Sequence, residues 1–166
     1  MLMDPKFSKN KVRYVLQCGL GTLSMLLILL VMNQISVSAV VASMGASCFI
    51  SFLMPHSHTA RPRSLLGGYL VGMVFGCLFN SLSLQPIVQS WLGAWQDPHI
   101  LMAAIAVGLS MFGMAITNTE HPPAAGLALG LVFDDITRVT IFIIIAGIVS
   151  LTAIKTLLKP YMIDLL

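Results

Sequence analysis

Residues 117–123 read Thr-Asn-Thr-Glu-His-Pro-Pro, and apolar sequence flanks them at 101–116 and 124–133. Glu120 and His121 place a carboxylate beside an imidazole, a pair with acid–base capacity at neutral pH. The prolines point to a second chemistry. His121 and Pro122 each precede a proline and are biased away from the α region, so helix can begin at Pro123. On that reading the backbone N–H groups of Ala124, Ala125 and Gly126 are free donors at the positive end of a helix, where anions bind. Thr117, Asn118 and Thr119 add hydroxyl and amide donors. Hydrocarbon offers such groups no partners, so their presence marks a functional site by default.

A second loop has the same form. Arg61-Pro62 starts another helix, and Arg61 and Arg63 bring fixed positive charge that suits planar oxyanions. Sliding the chain by 60 positions lays Thr59-Ala60-Arg61-Pro62 over Thr119-Glu120-His121-Pro122. Repeat-built transporters bring broken connections of this kind together at one site. If the two loops converge, Arg61, Arg63, Thr117, Asn118, Thr119, His121 and the donors at Ala124, Ala125 and Gly126 surround a small anion. Pro62, Pro122 and Pro123 then act as helix starters. Glu120 repels an anion, so it either pairs with Arg61 or Arg63 or carries protons alongside His121. His56 and His58 form an H-x-H without a further ligand set, and neither a metal nor a cofactor is expected.

The elements that position these residues follow from hydropathy. Hydrophobic residues make up 57% of the 166 and charged residues 9%, against roughly 25% charged in a soluble domain. The apolar runs are continuous rather than alternating, which indicates helices and not a β-barrel. The expected fold is all-α, a polytopic bundle of six membrane segments at 14–32, 35–54, 65–84, 99–116, 122–133 and 138–158, with 1–13 as a basic tail. The first run is read as an uncleaved span. The Asn33-Gln34 connection makes the first two helices a tight hairpin, and Pro160 closes the last. Net charge of +3 is no nucleic-acid signature.

Basic residues fix the orientation. With the N-terminus in the cytosol, Lys6, Lys9, Lys11, Arg13, Arg61, Arg63, Lys155 and Lys159 all fall inside, and Arg138 alone falls outside. Both termini are then cytosolic, and the fifth segment must cross. It is too short to do so alone: residues 122–132 give about 17 Å of helix against about 30 Å of hydrocarbon. Either non-helical residues 117–121 supply the remaining depth, which is tolerated only inside protein or beside a water-filled cavity, or the bilayer thins locally and they form a surface loop.

Small residues recur at helical spacing: Gly68, Gly72 and Gly76 on the third segment, Ala39, Ser43, Ser47 and Ser51 on the second, and Gly126 and Gly130 on the fifth. Such stripes let backbones approach, within one chain or at a dimer seam, and the serines could also line a pore. The cysteines read as small buried hydrophobes. Trp91 and Trp95 belong to an interfacial belt, His99 sits at the same level, and Asp134 and Asp135 form a solvated cap.

The run Glu120-His121-Pro122-Pro123-Ala124-Ala125-Gly126, after a T-x-T, resembles the HPP family of integral membrane proteins, named for that tripeptide. Gly45-Ala46-Ser47, Arg61-Pro62-Arg63 and Gly67-Gly68 look like the other marked stretch of that family. Residues 55–60 depart from it, reading Pro-His-Ser-His-Thr-Ala where members carry a Ser-Pro-Leu-Ala-Gln-like stretch. Members have been linked to nitrite transport in chloroplasts and cyanobacteria, so the resemblance implies a small-anion transporter or channel with nitrite as first candidate. The expected setting is a bacterial cytoplasmic membrane, with the bilayer and the anion as partners and a homo-oligomer as the assembly. Two other classes compete: a membrane-embedded enzyme using Glu120 and His121, and a non-catalytic subunit that packs through its glycines. No nucleophile-plus-base set supports the enzyme, and a packing subunit needs no polar residues at depth.

Overall fold

A computed structural model describes residues 5–31, 38–92 and 97–166. Seven helices are seen among them, and no strand: α1 (Pro5–Val31), α2 (Ser38–Leu53), α3 (Pro62–Ser83), α4 (Pro86–Leu92), α5 (Pro98–Thr117), α6 (Pro122–Phe133) and α7 (Arg138–Leu158). Short 3₁₀ turns occupy His58–Ala60 and Lys159–Tyr161. Proline opens α1, α3, α4, α5 and α6. At a first helical position its fixed φ is already helical, and its missing N–H would have had no partner.

Four helical stretches are long and apolar enough to cross a bilayer: Asn10–Leu29, Pro62–Ser83, Pro98–Thr117 and Arg138–Tyr161. The apolar helices α2 and α6 are shorter. Six apolar helices thus match the six expected segments. The amphipathic α4 was not foreseen; its Ile87 and Trp91 are exposed, and Gln89 donates to the Ser83 carbonyl at the end of α3. The stretch before residue 14 is helical back to Pro5, with a break at Asn10. The expected Asn33-Gln34 hairpin and Trp95 lie outside the described residues.

Side-chain contacts fix the directions. Gly68 meets His121, Gly72 meets Ala124, Gly76 meets Ala128 and Leu131, and the Asn80 amide reaches Val132 and Asp134. Both numbers rise together, so α3 and α6 run parallel. Helix α2 runs against α6, since Ala39 meets Gly130 while Ser47 meets His121. The two chain ends share one end of the bundle. There Tyr14 donates to the Leu165 carbonyl at 2.6 Å, and Gln17 exchanges hydrogen bonds with Ile163. Arg61, Arg63 and the 58–60 turn lie at this same basic end, where α3 begins.

Helix α6 forms the centre. It packs on α2, α3 and α5, and seven of its twelve residues are buried. The long helices around it turn large apolar side chains outward, among them Phe112 and Ile116 on α5 and Phe142 and Val149 on α7. A soluble domain would bury these; a hydrocarbon solvent accepts them. Gly68 lies six residues along α3 and faces His121, so α6 starts about 9 Å deeper than α3 at the basic end. At the far end α3 runs about one turn past α6, since Asn80 already meets Val132 and Asp134. Most of the missing length of α6 is therefore on the side of residues 117–121.

Candidate functional site

The two broken connections converge. His121 is 1% exposed and donates from Nδ1 to the Thr59 carbonyl at 2.9 Å. A carbonyl can only accept, so Nδ1 carries hydrogen, and in the neutral ring Nε2 is left as an acceptor. Ser47 Oγ sits 2.8 Å from that Nε2. From Ser47 the polar chain continues to Tyr69 Oη at 2.8 Å and from Tyr69 to Ser43 Oγ at 2.7 Å. Ser43 closes it by donating to the Pro123 carbonyl at 2.9 Å. Three helices thus tie into one buried string around the first turn of α6.

Local geometry explains why these residue types stand here. Helix α5 ends with Asn118 in the left-handed region, φ 55 and ψ 47, and asparagine accepts that conformation better than most residues. The N–H of Thr119 then reaches back to the Met114 carbonyl at 3.0 Å, closing the helix end. Thr117 bonds the Gly113 carbonyl and the Thr119 hydroxyl. Thr119 is buried against Gly67, where a methyl group would collide with its side chain. Gly68 makes the matching space for His121: a methyl group there would lie 2.7 Å from the histidine Cβ. The glycine stripe of α3 is therefore the floor on which the motif lies.

Several expected ligands turn out to be committed elsewhere. The N–H of Ala124 bonds the His121 carbonyl at 2.9 Å. Pro122 and Pro123 have no N–H, and Gly126 has Pro122 as its i→i−4 acceptor within the helix. Of the three donors expected at the start of α6, Ala124 is thus bonded and Gly126 lies within the helix register, so fewer N–H groups are free there than the sequence suggests. Arg63 is exposed and donates to the Thr117 carbonyl at 2.8 Å, which caps the end of α5. Arg61 is exposed and bonds to no described side chain; its backbone caps α3. The two guanidinium groups thus lie outside, while His121 lies within.

Glu120 is exposed, and its partner is His58, 3.4 Å from Oε2 to Nδ1, rather than either arginine. It faces away from His121 and forms no acid–base couple with it. Gly68, Gly72, Gly76 and Gly130 each lie too close to a neighbouring element to admit a methyl group, the last against Ala39. Gly126 departs from this pattern: it is exposed, with open space around it.

Sequence reasoning did not single out Tyr69 or Lys155. Tyr69 is fully buried among glycines, and a buried phenol needs a hydrogen-bond partner. Lys155 enters the sequence reading only as a cytosolic-side basic residue, yet it is 0% exposed and its Nζ donates to the Ala60 carbonyl at 2.6 Å. The signal was its place between Ile154 and Leu157 on an apolar helix. The adjacent carbonyls of Thr59 and Ala60, at the end of the 58–60 turn, thus serve His121 and Lys155 respectively.

Comparison with known proteins agrees with this architecture. The chain is 32% identical over 89 residues to a transmembrane protein of Dictyostelium discoideum, covering 54% of this chain and 28% of that one. A second Dictyostelium transmembrane protein is 30% identical over 87 residues, 52% of this chain and 25% of that one. The chain spans about a quarter of the length of the curated relatives it matches. No solved structure matches it. The family described as HPP, transmembrane region, matches residues 7–161, and this integral membrane protein belongs to that family.

Proposed function

We propose that the protein carries a small inorganic anion across the membrane, with nitrite as first candidate, through the region where residues 55–61 and 117–122 meet. One observation carries the reading: a half-length helix in the middle of the bundle starts at a buried polar chain from His121 through Ser47 and Tyr69 to Ser43. Discontinuous helices with polar starts inside the bundle are how many transporters build a binding site. A subunit that only packs has no use for four polar side chains in its core. An enzyme is disfavoured because both ring nitrogens of His121 are occupied and Glu120 turns to His58. Placement in a bacterial cytoplasmic membrane, with the basic end in the cytosol, and assembly as a homo-oligomer belong to the same proposal.

The test is flux of nitrite, nitrate and chloride into liposomes carrying the purified full chain. The expected result is saturable flux of at least one of them, lowered at least tenfold by His121→Ala. Absence of flux for all three, in protein that is folded by circular dichroism, overturns the reading.

A further inference from the structure

Lys155 poses a problem of donors. An ammonium carries three N–H groups and no acceptor. Buried charges are as a rule paired with opposite charge or fully hydrogen-bonded. Lys155 is fully buried and has one bond, to the Ala60 carbonyl. The described carboxylates are all engaged or distant. Asp97, Asp134 and Asp135 sit at the far end, Glu120 faces His58, and Asp164 is exposed and holds His56. Lys159 and Asp164 act on Lys155 only through space.

Four buried side-chain atoms among the described residues lack a hydrogen-bond partner, His58 Nδ1 and Ser110 Oγ among them, and the other two are on α2 and α7. Ser51 Oγ and Thr152 Oγ1 are buried and hydrogen-bonded to nothing described. Thr152 precedes Lys155 by three positions, which places both on one face of α7. Ser51 follows Ser47 by one turn on α2, toward the 55–60 connection, and α2 packs on both α7 and the 58–60 turn. One side of that turn holds His121, and the other holds a cation with donors to spare. Arg61 and Arg63 are exposed and the Ala124 N–H is bonded, so Lys155 is the buried cation that remains among the described residues.

We propose that Lys155 binds the transported anion, and that the Ser51 and Thr152 hydroxyls complete its donor set. This rests on the transport reading above and adds the group that holds the substrate. One positive charge matches a small monovalent anion, and hydroxyl donors complement it without adding charge. The ligand then supplies the acceptors that the protein withholds from the ammonium.

The experiment uses full-length protein in detergent with ¹⁵N at the lysine side chains, titrated with sodium nitrite, nitrate or chloride against sodium gluconate. One Nζ resonance, absent in Lys155→Arg, should shift and saturate with at least one of the three. The double variant Ser51→Ala/Thr152→Val should weaken that saturation several-fold. In liposomes, Lys155→Met should lose saturable flux and Lys155→Arg should keep part of it. A Lys155 resonance that stays still at saturating anion, in protein whose flux is intact, overturns the assignment and leaves transport standing. Neither shift nor flux in the wild type overturns both. The titration needs no variant that might misfold, since it reads the wild-type protein.

Discussion

Gly72→Ala tests the central packing. A methyl group at Gly72 would run into the Ala124 carbonyl oxygen, which is backbone and has no side-chain rotation to relieve it. Overpacking of this kind costs about 1–3 kcal/mol. Alanine also gains up to about 1 kcal/mol over glycine in a helix, which obscures the single measurement. Gly126→Ala removes that ambiguity. It makes the same exchange on α6 where nothing lies within 4 Å, so the helix gain is common to both and cancels in the comparison. The difference between the two variants isolates the collision. At roughly 2–4 °C per kcal/mol for a chain of this size, Gly72→Ala should melt several degrees below Gly126→Ala. Thermal unfolding of both proteins in the same mild detergent, followed by circular dichroism, supplies the numbers. Equal melting temperatures would refute the close parallel approach of α3 and α6, and with it the placement of His121 beside Gly68.

Further outcomes follow from other contacts. Ser47→Ala leaves His121 Nε2 buried without a partner and should destabilise by about 1–3 kcal/mol. Combined with Tyr69→Phe it should be non-additive by at least about 0.5 kcal/mol, because the two hydroxyls share one string; a melting double-mutant cycle measures this. Asn80→Asp keeps the shape but removes the donors to the Val132 and Asp134 carbonyls, so hydrogen exchange should rise at the end of α6 before it rises elsewhere. The Asp97 carboxyl is held below its ordinary range, first by the His99 backbone N–H and then by the His99 ring. A depressed carboxyl stabilises above its unfolded value, near pH 4, and the contribution fades as pH falls through the lowered value. Melting curves of wild type and Asp97→Ala should therefore converge in strong acid and separate above about pH 4.

What could be read from the sequence was whatever depends on neighbours along the chain. Apolar run length located α3, α5 and α7 to within a few residues, and prolines located the starts of α3 and α6. Matched T-x-x-P connections pointed to loops that do meet, at His121 and Thr59. Pairing across helices depends on how each helix is rotated, and hydropathy is blind to rotation when most faces are apolar. Nothing local therefore told Arg63 to cap α5, or told Lys155 to turn inward while Arg61 turned out. The α6 start failed for a different reason. Its donors can be counted from the sequence: two prolines delete two N–H groups, and the His121 carbonyl takes that of Ala124. An anion site at a helix start needs free N–H groups, and a Pro-Pro start leaves fewer of them.

The polar string around α6 also has a hydrogen count. Five short contacts connect His121 Nε2, Ser47, Tyr69, Ser43 and the carbonyls of Ser43 and Pro123. Three hydroxyls supply three hydrogens, so with a neutral ring two of the five contacts contain none. A proton on Nε2 adds a fourth and frees Ser47 to turn its own hydrogen onto the Ser43 carbonyl, 2.9 Å away. The same heavy-atom positions thus serve both charge states, and only the direction of the O–H bonds differs. A change in the charge of His121 would therefore need only a turn of these hydroxyls to keep the string bonded.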